Sequence, residues 1–375
     1  MSMLIKTTVV LSVLIVATAF NTVLASSLSP PPKDSIATVI KRVADWQWRE
    51  IETKGWRNDP KDWTSGAMYA GMIAWARVAK DDLYWQKLLE VGNKNEWKIG
   101  KRRHFADDYC VGQMYAQLYK KYKKPLYIAD FKSLADTLAV IPHKDSLLWV
   151  NNIHLREWAW CDALFMGPPA LGYLTDATGD PKYLELACKL WWKTSDYLYS
   201  KDQHLFFRDS RYFTQKEKNG KAVFWSRGNG WVMGGMVSLL SIMPANYPDR
   251  NRFIMQFKQM ADRVAGLQQP DGTWHASLLD PESYPSKETS GTAFYCYVFA
   301  WGINHKLLSY DKYYPVVEKA WKALISSVHP DGKLGYVQPQ GAAPEKVTAD
   351  DTEMYGVGAF LLAGTEMLKL ENSSQ

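Results

Sequence analysis

The chain has 375 residues and a formal net charge of +6, with 47% apolar and 14% aromatic residues. This length allows about two domains, but no linker, charge block or low-complexity tract divides the chain, so one large domain is the simpler interpretation. The positive charge is modest and unclustered, which allows an anionic ligand and gives no support to nucleic-acid binding. The four cysteines lack CxxC spacing, so we expect no metal site and no cofactor.

Sequence motifs exclude several common enzyme classes. The chain contains no GxSxG, P-loop, dinucleotide-binding or HExxH pattern. These absences argue against serine hydrolases of the elbow type, NTPases, NAD enzymes and zincins.

Residues 1–25 have the features of a secretory signal peptide. Lys6 precedes an apolar run over residues 9–20, and small residues end at Ala25. The run is too short for a membrane span. We therefore predict a signal peptide at 1–25, a flexible leader at 26–33 and a single domain at 34–375, exported to the periplasm or secreted and not membrane-bound after cleavage.

Six segments of the remaining chain show helical periodicity with a charged outer face. In the first of them, Ile36, Val39 and Val43 recur at helical spacing, while Lys41 and Arg42 face away. These segments are typical of surface helices. They cover residues 35–53, 81–95, 126–141, 181–199, 250–268 and 310–328.

Six further segments begin at a glycine that follows a polar cluster, and they are apolar on all sides. They alternate with the surface helices, and their spacing indicates one structural unit used six times. Twelve helices in this order predict an all-α fold, an (α/α)6 barrel of six helical hairpins with a few short strands; a mixed α+β fold is the alternative. The glycines are Gly66, Gly112, Gly167, Gly230, Gly291 and Gly356, and the short strands are predicted at 205–207, 222–224 and 333–337.

In such a barrel, the loops before the buried helices meet at one mouth, and loops longer than about 12 residues are often functional. The long connections are 142–156, 200–226 and 269–288. One of them leads to Asp162, which stands among bulky apolar neighbours such as Trp158 and Phe165. Burial there raises the pKa of a carboxyl group and suits an acid–base role. The segment is either helical at Asp162 or, if Pro168 starts the helix, places Asp162 in the loop before it. The alternative to a catalytic role is that Asp162 caps a helix or pairs with Arg156.

Two other clusters open buried helices. Asp107 and Asp108 either cap the helix that follows or, with Asp162, supply the two carboxyls that acid–base attack on a sugar requires. Arg227 stands between Trp225 and Trp231, where it either has a structural role or binds a carboxylate beside a stacked sugar ring. Tyr284 and Glu288, on the loop before the fifth buried helix, are candidates for lining the mouth.

At these clusters the chain resembles the unsaturated rhamnogalacturonyl hydrolases of glycoside hydrolase family 105, which are related to the unsaturated glucuronyl hydrolases. The resemblance covers nearly all of the predicted domain. It implies an (α/α)6 barrel and an acidic oligosaccharide substrate ending in a 4,5-unsaturated uronic acid, of the galacturonyl-rhamnose type. It rests on the motifs ADDYCVGQMY (106–115), WCDALFMGPP (160–169) and WSRGNGW (225–231), and extends through 278–281, 284–285 and 288–291.

The resemblance also implies a chemistry and roles for individual residues. An acid protonates C4 of the double bond while water adds at C5, and the resulting hemiketal rearranges and releases the next sugar. Asp162 matches the general acid/base, and Asp107, or Asp108 one position later, matches the second active-site carboxyl. Trp225, Arg227 and Trp231 match the residues that bind the unsaturated sugar and its carboxylate, and Trp160, Tyr284 and Glu288 are further candidates for substrate binding.

One segment departs from the family pattern. Some members carry a histidine in the strand-like segment where this chain has Arg208 and Asp209, with His204 just upstream. Arg208 or Asp209 must replace or abandon that contact, unless His204 reaches it, and Arg208 is our candidate for substrate binding. The sugar beyond the cleaved bond stays open, as does the oligomeric state. The rival hypotheses are an inverting glycosidase, a polysaccharide lyase, or a non-catalytic carbohydrate-binding protein.

Overall fold

The computed structural model describes residues 35–80, 82–152 and 157–373. The predicted signal peptide and leader lie outside the described residues. Within the described part, twelve α-helices form one compact unit. The outer helices are α1 (Ile36–Lys54), α3 (Leu83–Lys94), α5 (Leu126–Ala139), α7 (Lys182–Leu198), α9 (Arg250–Ala265) and α11 (Tyr310–Ser326); the inner ones are α2 (Trp63–Val78), α4 (Gly112–Tyr122), α6 (Ala163–Thr178), α8 (Ser226–Ile242), α10 (Thr289–Asn304) and α12 (Met354–Ser373).

The inner helices form a closed ring. Each one packs against the next, and α12 returns to α2. Each outer helix packs on an inner one: α1 on α12, α3 on α2, and the remaining four on the inner helix that precedes them in the chain. The (α/α)6 barrel predicted from the alternating helices is confirmed, and the mixed α+β alternative is wrong. No helix among the described residues is long and apolar enough to cross a membrane.

Strands are even fewer than the sequence suggests. The predicted strand at 205–207 forms, as Leu205–Phe206, and pairs antiparallel with Tyr199–Ser200. The predictions at 222–224 and 333–337 were wrong, because these segments contribute only isolated bridges to Lys216 and Val328. Short apolar runs beside turns have the composition of strands, but they form strands only where the edge of another strand lies beside them.

The recurring glycines lie near the starts of the inner helices, where space is short. A Cβ atom at Gly167 would come within 2.4 Å of the Trp158 ring, and one at Gly356 within 2.6 Å of Val337. Two further glycines let α2 and α12 touch through their backbones, since a Cβ at Gly71 would lie 2.2 Å from the carbonyl oxygen of Gly358. The recurrence therefore reflects close packing of the ring.

Helix α6 begins directly after Asp162 and continues through Pro168 and Pro169. The alternative in which Pro168 starts the helix is wrong. A proline inside a helix removes one N–H donor, so the two prolines leave the carbonyls four residues earlier without their usual partners. The carbonyl of Phe165 instead accepts a hydrogen bond from Nε2 of Gln113 at 2.8 Å. This bond ties α6 to α4.

Aromatic side chains from several inner helices fill the centre of the ring. Trp231 of α8 lies 4.8 Å from Phe165 of α6 and 4.6 Å from Phe294 of α10, measured between ring centroids. Its ring also contacts Trp63 of α2 and Tyr355 of α12. All but Trp63 are at most 1% exposed. This aromatic plug closes the barrel below the mouth formed by the helix starts.

Candidate active site

A cavity of about 450 Å³ lies at the starts of the inner helices. Asp107 precedes α4 and Asp162 precedes α6, so the two acids reach one space from different hairpins. The structure also brings Trp160 and Arg208 here, as expected if the loops before the inner helices form one mouth. The lining residues are Trp63, Asp107, Trp160, Asp162, Met166, Arg208, Gln340, Gly341 and Ala342.

Asp162 occupies the N-cap position of α6 but makes no capping hydrogen bond. Its carboxylate accepts a hydrogen bond from the Cys161 thiol at 3.5 Å and lies 3.5 Å from Nε of Arg208. Its side chain is 13% exposed. Burial raises the pKa of Asp162, while the positive charges of Arg208 and Arg227 oppose that rise. Arg156, the alternative partner, lies outside the described residues.

Asp107 stands in a short 3-10 turn, Ala106–Tyr109. Burial and the nearby charge of Asp162 raise the pKa of Asp107 to about 8, and Arg208 opposes this rise. Two carboxyls that repel each other in a shielded site titrate as a pair. At neutral pH such a pair retains a proton, and Arg208 favours the ionised form of Asp162.

The neighbouring Asp108 has a different environment. It is buried, and it accepts hydrogen bonds from Arg102 through the backbone N–H at 2.8 Å, Nε at 3.1 Å and Nη2 at 2.6 Å. A charge so fully paired anchors the loop and has little capacity left for a ligand. The geometry thus separates two acids that sequence spacing leaves interchangeable, with Asp107 at the cavity and Asp108 on Arg102.

The structure places Arg227 behind the cavity wall. Its guanidinium is fully buried and donates to the carbonyl oxygens of Gln338 and Pro339 at 2.7 and 3.0 Å. It lies over the rings of Trp225 and Tyr355, at 4.5 and 4.9 Å from their centroids. Trp225 itself donates from Nε1 to the Gln338 side chain at 3.0 Å. This Arg227 strut holds the segment whose next residues, 340–342, line the cavity.

Three other predicted substrate contacts also lie away from the cavity. Trp231 belongs to the aromatic plug and reaches the site only through its contact with Trp63. The hydroxyl of Tyr284 lies 3.5 Å from Oε2 of Glu217. Glu288 is buried and caps α10, accepting from the backbone N–H groups of Ser290 and Gly291.

Sequence reasoning missed several lining residues. Trp63 is the first residue of α2, directly after the N-cap Asp62, and it belongs to the polar cluster before the first glycine. Gln340, Gly341 and Ala342 belong to the connection between α11 and α12, residues 327–353, which is long enough to have been flagged by its length. Met166 shares the Asp162 segment and completes the wall.

The connection between α7 and α8 supplies the positively charged residue of the site, Arg208. Asp209, fully buried, accepts from Nη1 of Arg208 at 2.7 Å and from Arg211 through Nε at 2.9 Å and Nη2 at 2.8 Å. His204 does not line the cavity; its Nδ1 lies 3.0 Å from the Tyr199 hydroxyl. Arg208 therefore occupies the position that the sequence left open.

The described residues contain no group of three or more acidic, histidine or cysteine side chains placed to hold a metal. The four cysteines are buried and unpaired. A second cavity, of about 300 Å³, lies at the opposite ends of the inner helices beyond the aromatic plug, and it shares no lining residue with the site.

Comparison with known sequences places this geometry in context. The sequence model described as Glycosyl Hydrolase Family 88 matches residues 39–371. A protein of Formosa agariphila named Unsaturated 3S-rhamnoglycuronyl hydrolase is 41% identical over 323 residues, covering 83% of this chain and 85% of that protein. A protein of the same name from Alteromonas sp. is 35% identical over 361 residues, covering 90% and 87%.

Solved structures agree with these matches. A glycosyl hydrolase family 88 protein from Bacteroides vulgatus superposes with a TM-score of 0.79 at 31% identity, covering 89% of this chain and 98% of that one. A protein described as a polysaccharide lyase superposes with a TM-score of 0.81, also at 31% identity, covering 90% and 98%. The resemblance stated from the motifs is thereby confirmed at the level of the family and the fold.

Proposed function

The chain belongs to glycosyl hydrolase family 88 and is a glycosidase, and we propose that it removes a terminal 4,5-unsaturated uronic acid from oligosaccharides left by polysaccharide lyases. The observation that carries this proposal is the pair of buried acids, Asp107 and Asp162, beside Arg208 in a cavity closed at one end. A cavity that ends at the aromatic plug suits a terminal sugar. A guanidinium at its wall suits the carboxylate of that sugar.

In the proposed reaction, Asp162 donates its proton to C4 of the double bond, and its carboxylate then takes a proton from the water that attacks C5. The product is a hemiketal, which opens and releases the next sugar. No other reactant is consumed. The raised pKa of Asp107 keeps one proton on the pair of acids at neutral pH. Asp107 is therefore the group from which Asp162 receives its proton.

Arg208 links substrate binding to this proton. In the free enzyme its positive charge favours the ionised form of Asp162. When the uronate carboxylate binds Arg208, that charge is shared and its stabilisation of ionised Asp162 weakens. Substrate binding then raises the pKa of Asp162, and the shared proton moves onto the group that delivers it.

For the sugar beyond the cleaved bond, we propose rhamnose that bears a sulfate ester. The support is the name of the two relatives at 41% and 35% identity, whose "3S" we interpret as 3-sulfated rhamnose. This is narrower than the galacturonyl-rhamnose type expected from the motifs.

The direct test follows the ultraviolet absorbance of the conjugated double bond. Purified protein is mixed with unsaturated disaccharides from ulvan, pectin and glycosaminoglycan lyases, and with a saturated oligosaccharide. We expect absorbance loss and release of free sugar with the rhamnose-containing products. Persistence of the absorbance with every lyase product overturns the proposal, and cleavage of the saturated sugar identifies an ordinary glycosidase.

A polysaccharide lyase is the second candidate, because one structural neighbour at 31% identity is described as one. A lyase creates the double bond that a hydrolase of this type removes. The direction of the absorbance change therefore separates the two enzymes. A rise in absorbance with the intact polysaccharide identifies a lyase. Unchanged absorbance with the polysaccharide, together with a loss of absorbance with the unsaturated disaccharide, identifies the hydrolase.

A further inference from the structure

We propose that Arg211, supported by Asp209 and Trp149, binds the sulfate ester on the sugar that follows the cleaved bond. This inference rests on the proposed function, because it assumes that the unsaturated uronate occupies the cavity at Asp107 and Asp162. It assigns a specificity-determining residue that neither the motifs nor the comparisons indicate.

The first observation is a guanidinium beside the cavity that keeps an unused N–H donor. Arg208 and Arg211 both donate to the single carboxylate of Asp209, which is fully buried. Arg208 also lies 3.5 Å from the Asp162 carboxylate, so its charge is shared between two carboxylates, whereas among the described residues the Arg211 guanidinium pairs with Asp209 alone. Among the described residues, Nη1 of Arg211 has no hydrogen-bond partner, while Nε and Nη2 are both taken by Asp209.

The second observation is that Arg211 is held in position before any ligand arrives. Asp209 caps the short 3-10 turn Ser210–Tyr212 by accepting from the backbone N–H of Arg211 at 3.0 Å. The guanidinium lies 4.1 Å from the centroid of the Trp149 ring, and that of Arg208 lies 5.0 Å from it. The backbone N–H of Trp149 donates to Ser210 at 2.8 Å. A guanidinium fixed on both sides loses little entropy when it binds an anion.

The third observation is the direction in which the cluster extends. Arg208 lines the cavity and is 15% exposed, whereas Arg211 lies further out and is 46% exposed. An unsaturated uronate is the non-reducing end of its oligosaccharide, so nothing precedes it and it occupies the closed end. The next sugar must extend towards solvent, where Arg211 lies.

The other side of the mouth is a poorer choice for an anion. A neighbouring cavity of about 330 Å³ adjoins the site through Trp63 and Asp107. Its lining contains four acidic residues against three basic ones, and one of those basic residues, Arg102, is already bound to Asp108. With Asp107 protonated and Arg102 paired with Asp108, the remaining charges there balance, so a sulfate would find no surplus of positive charge. The electrostatics therefore favour the Arg211 side.

The test compares two substrates that differ only in the sulfate: the unsaturated uronyl-rhamnose 3-sulfate and its desulfated form. The quantity measured is the ratio of kcat/KM for the sulfated substrate to that for the desulfated one. For Arg211→Ala we expect this ratio to fall by about tenfold or more, which is the typical size of a lost charge-assisted hydrogen bond. Arg211→Lys, which keeps the charge but not the fork, should give an intermediate ratio.

Arg252→Ala is the matched control. Arg252 is also 46% exposed, pairs with Asp196 and lies 3.7 Å from the Trp192 ring centroid, but it stands on α9 away from the mouth. Its variant should keep the wild-type ratio. If Arg211→Ala leaves the ratio unchanged, the inference is wrong. An equal fall in kcat/KM for the sulfated and the desulfated substrate is such a result and identifies a structural effect.

The wild-type protein separates this inference from the function on which it rests. If the wild type turns over neither disaccharide, the proposed function fails. If it turns over both equally well, or prefers the desulfated one, the proposed function stands and the sulfate site does not. A preference for the sulfated substrate that increasing salt weakens supports both.

Discussion

The openings of α6 and α8 occupy equivalent places in the barrel, and both are rich in tryptophan and charge. At α6, Asp162 is shielded from water yet holds only a thiol at 3.5 Å and a cation at 3.5 Å. At α8, Arg227 is fully buried, and two backbone carbonyls and two rings surround it. The first opening leads to a cavity and the second to a wall.

The difference lies in how far the protein itself satisfies each charged group: both terminal nitrogens of Arg227 are bound and its buried Nε lacks a partner among the described residues, whereas Asp162 accepts one long bond from a thiol. A buried charge whose terminal donors are bound by the chain stabilises one arrangement of that chain. A buried charge with incomplete partners at a cavity costs stability and leaves capacity for a ligand. The following substitutions test this distinction, beginning with the largest expected effect.

Replacing the incompletely paired acid should abolish most of the activity. For Asp162→Asn we expect kcat to fall by about a hundredfold to ten-thousandfold, the usual range for a lost general acid, with KM little changed. Absorbance kinetics with the unsaturated disaccharide measure this. Asp176→Asn is the control, since Asp176 lies at the other end of α6 and pairs with Lys120. Equal activity of the two variants would remove Asp162 from the acid role.

Replacing the buried Arg227 should instead lower stability. Arg227→Ala removes two charged hydrogen bonds, takes the donor from the Pro339 carbonyl and leaves the Gln338 carbonyl with the Tyr355 hydroxyl alone, so we expect the free energy of unfolding to fall by about 3 kcal/mol or more. Urea denaturation measures this. Arg252→Ala, which breaks a half-exposed ion pair, should cost under about 1 kcal/mol. A stable Arg227 variant with a raised KM would show that this residue binds substrate and would break the comparison.

The raised pKa of Asp107 should make the stability of the protein depend on pH. The pKa of Asp107 is raised in the folded protein from 3.8 to about 8. Folding therefore carries no penalty from this group below pH 4, and the penalty grows as the pH rises towards 8. Asp107→Asn carries no charge, so its melting temperature should exceed that of the wild type at pH 8, with a gain that shrinks towards pH 4. A gain that is constant with pH would contradict the raised pKa.

The adjacent acid should behave in the opposite way. Asp108→Asn weakens the contacts with Arg102, so we expect a loss of about 1–3 kcal/mol at neutral pH. Its kcat should change far less than that of the Asp162 variant. Calorimetry and the absorbance assay, run on the Asp107 and Asp108 variants together, show whether one residue of spacing separates a reactive acid from an anchoring one.

Much of the fold could be predicted because periodicity reports burial directly. Helices with one apolar face alternate with helices that are apolar on all sides, and this alternation was sufficient to predict the barrel. A helix enclosed by other helices has no face in contact with water, so it carries no polar face. The helix ends and the short strands were less predictable. Whether Pro168 begins or continues a helix depends on the Gln113 side chain, which takes the carbonyl that Pro169 leaves free.

The site was only partly predictable for a related reason. Spacing places Asp107, Asp162 and Arg208 near one mouth, but it cannot say which polar groups find partners within the protein. Arg102 lies six residues before Asp108 and satisfies it, and Gln338 lies more than a hundred residues after Arg227. Whether such a partner binds the charged side chain decides whether a charged motif is reactive, and spacing along the chain does not reveal it.

The aromatic plug has a kinetic consequence. Because Trp231 and its neighbours close the ring beneath the site, a sugar that occupies the far end of the cavity cannot leave through the barrel. In the proposed reaction the products must therefore leave in a fixed order. The shortened oligosaccharide dissociates first, and the opened uronate dissociates after it. Free oligosaccharide should accordingly trap the uronate product inside, and slow release by this route gives the molecule a built-in response to the accumulation of its own products.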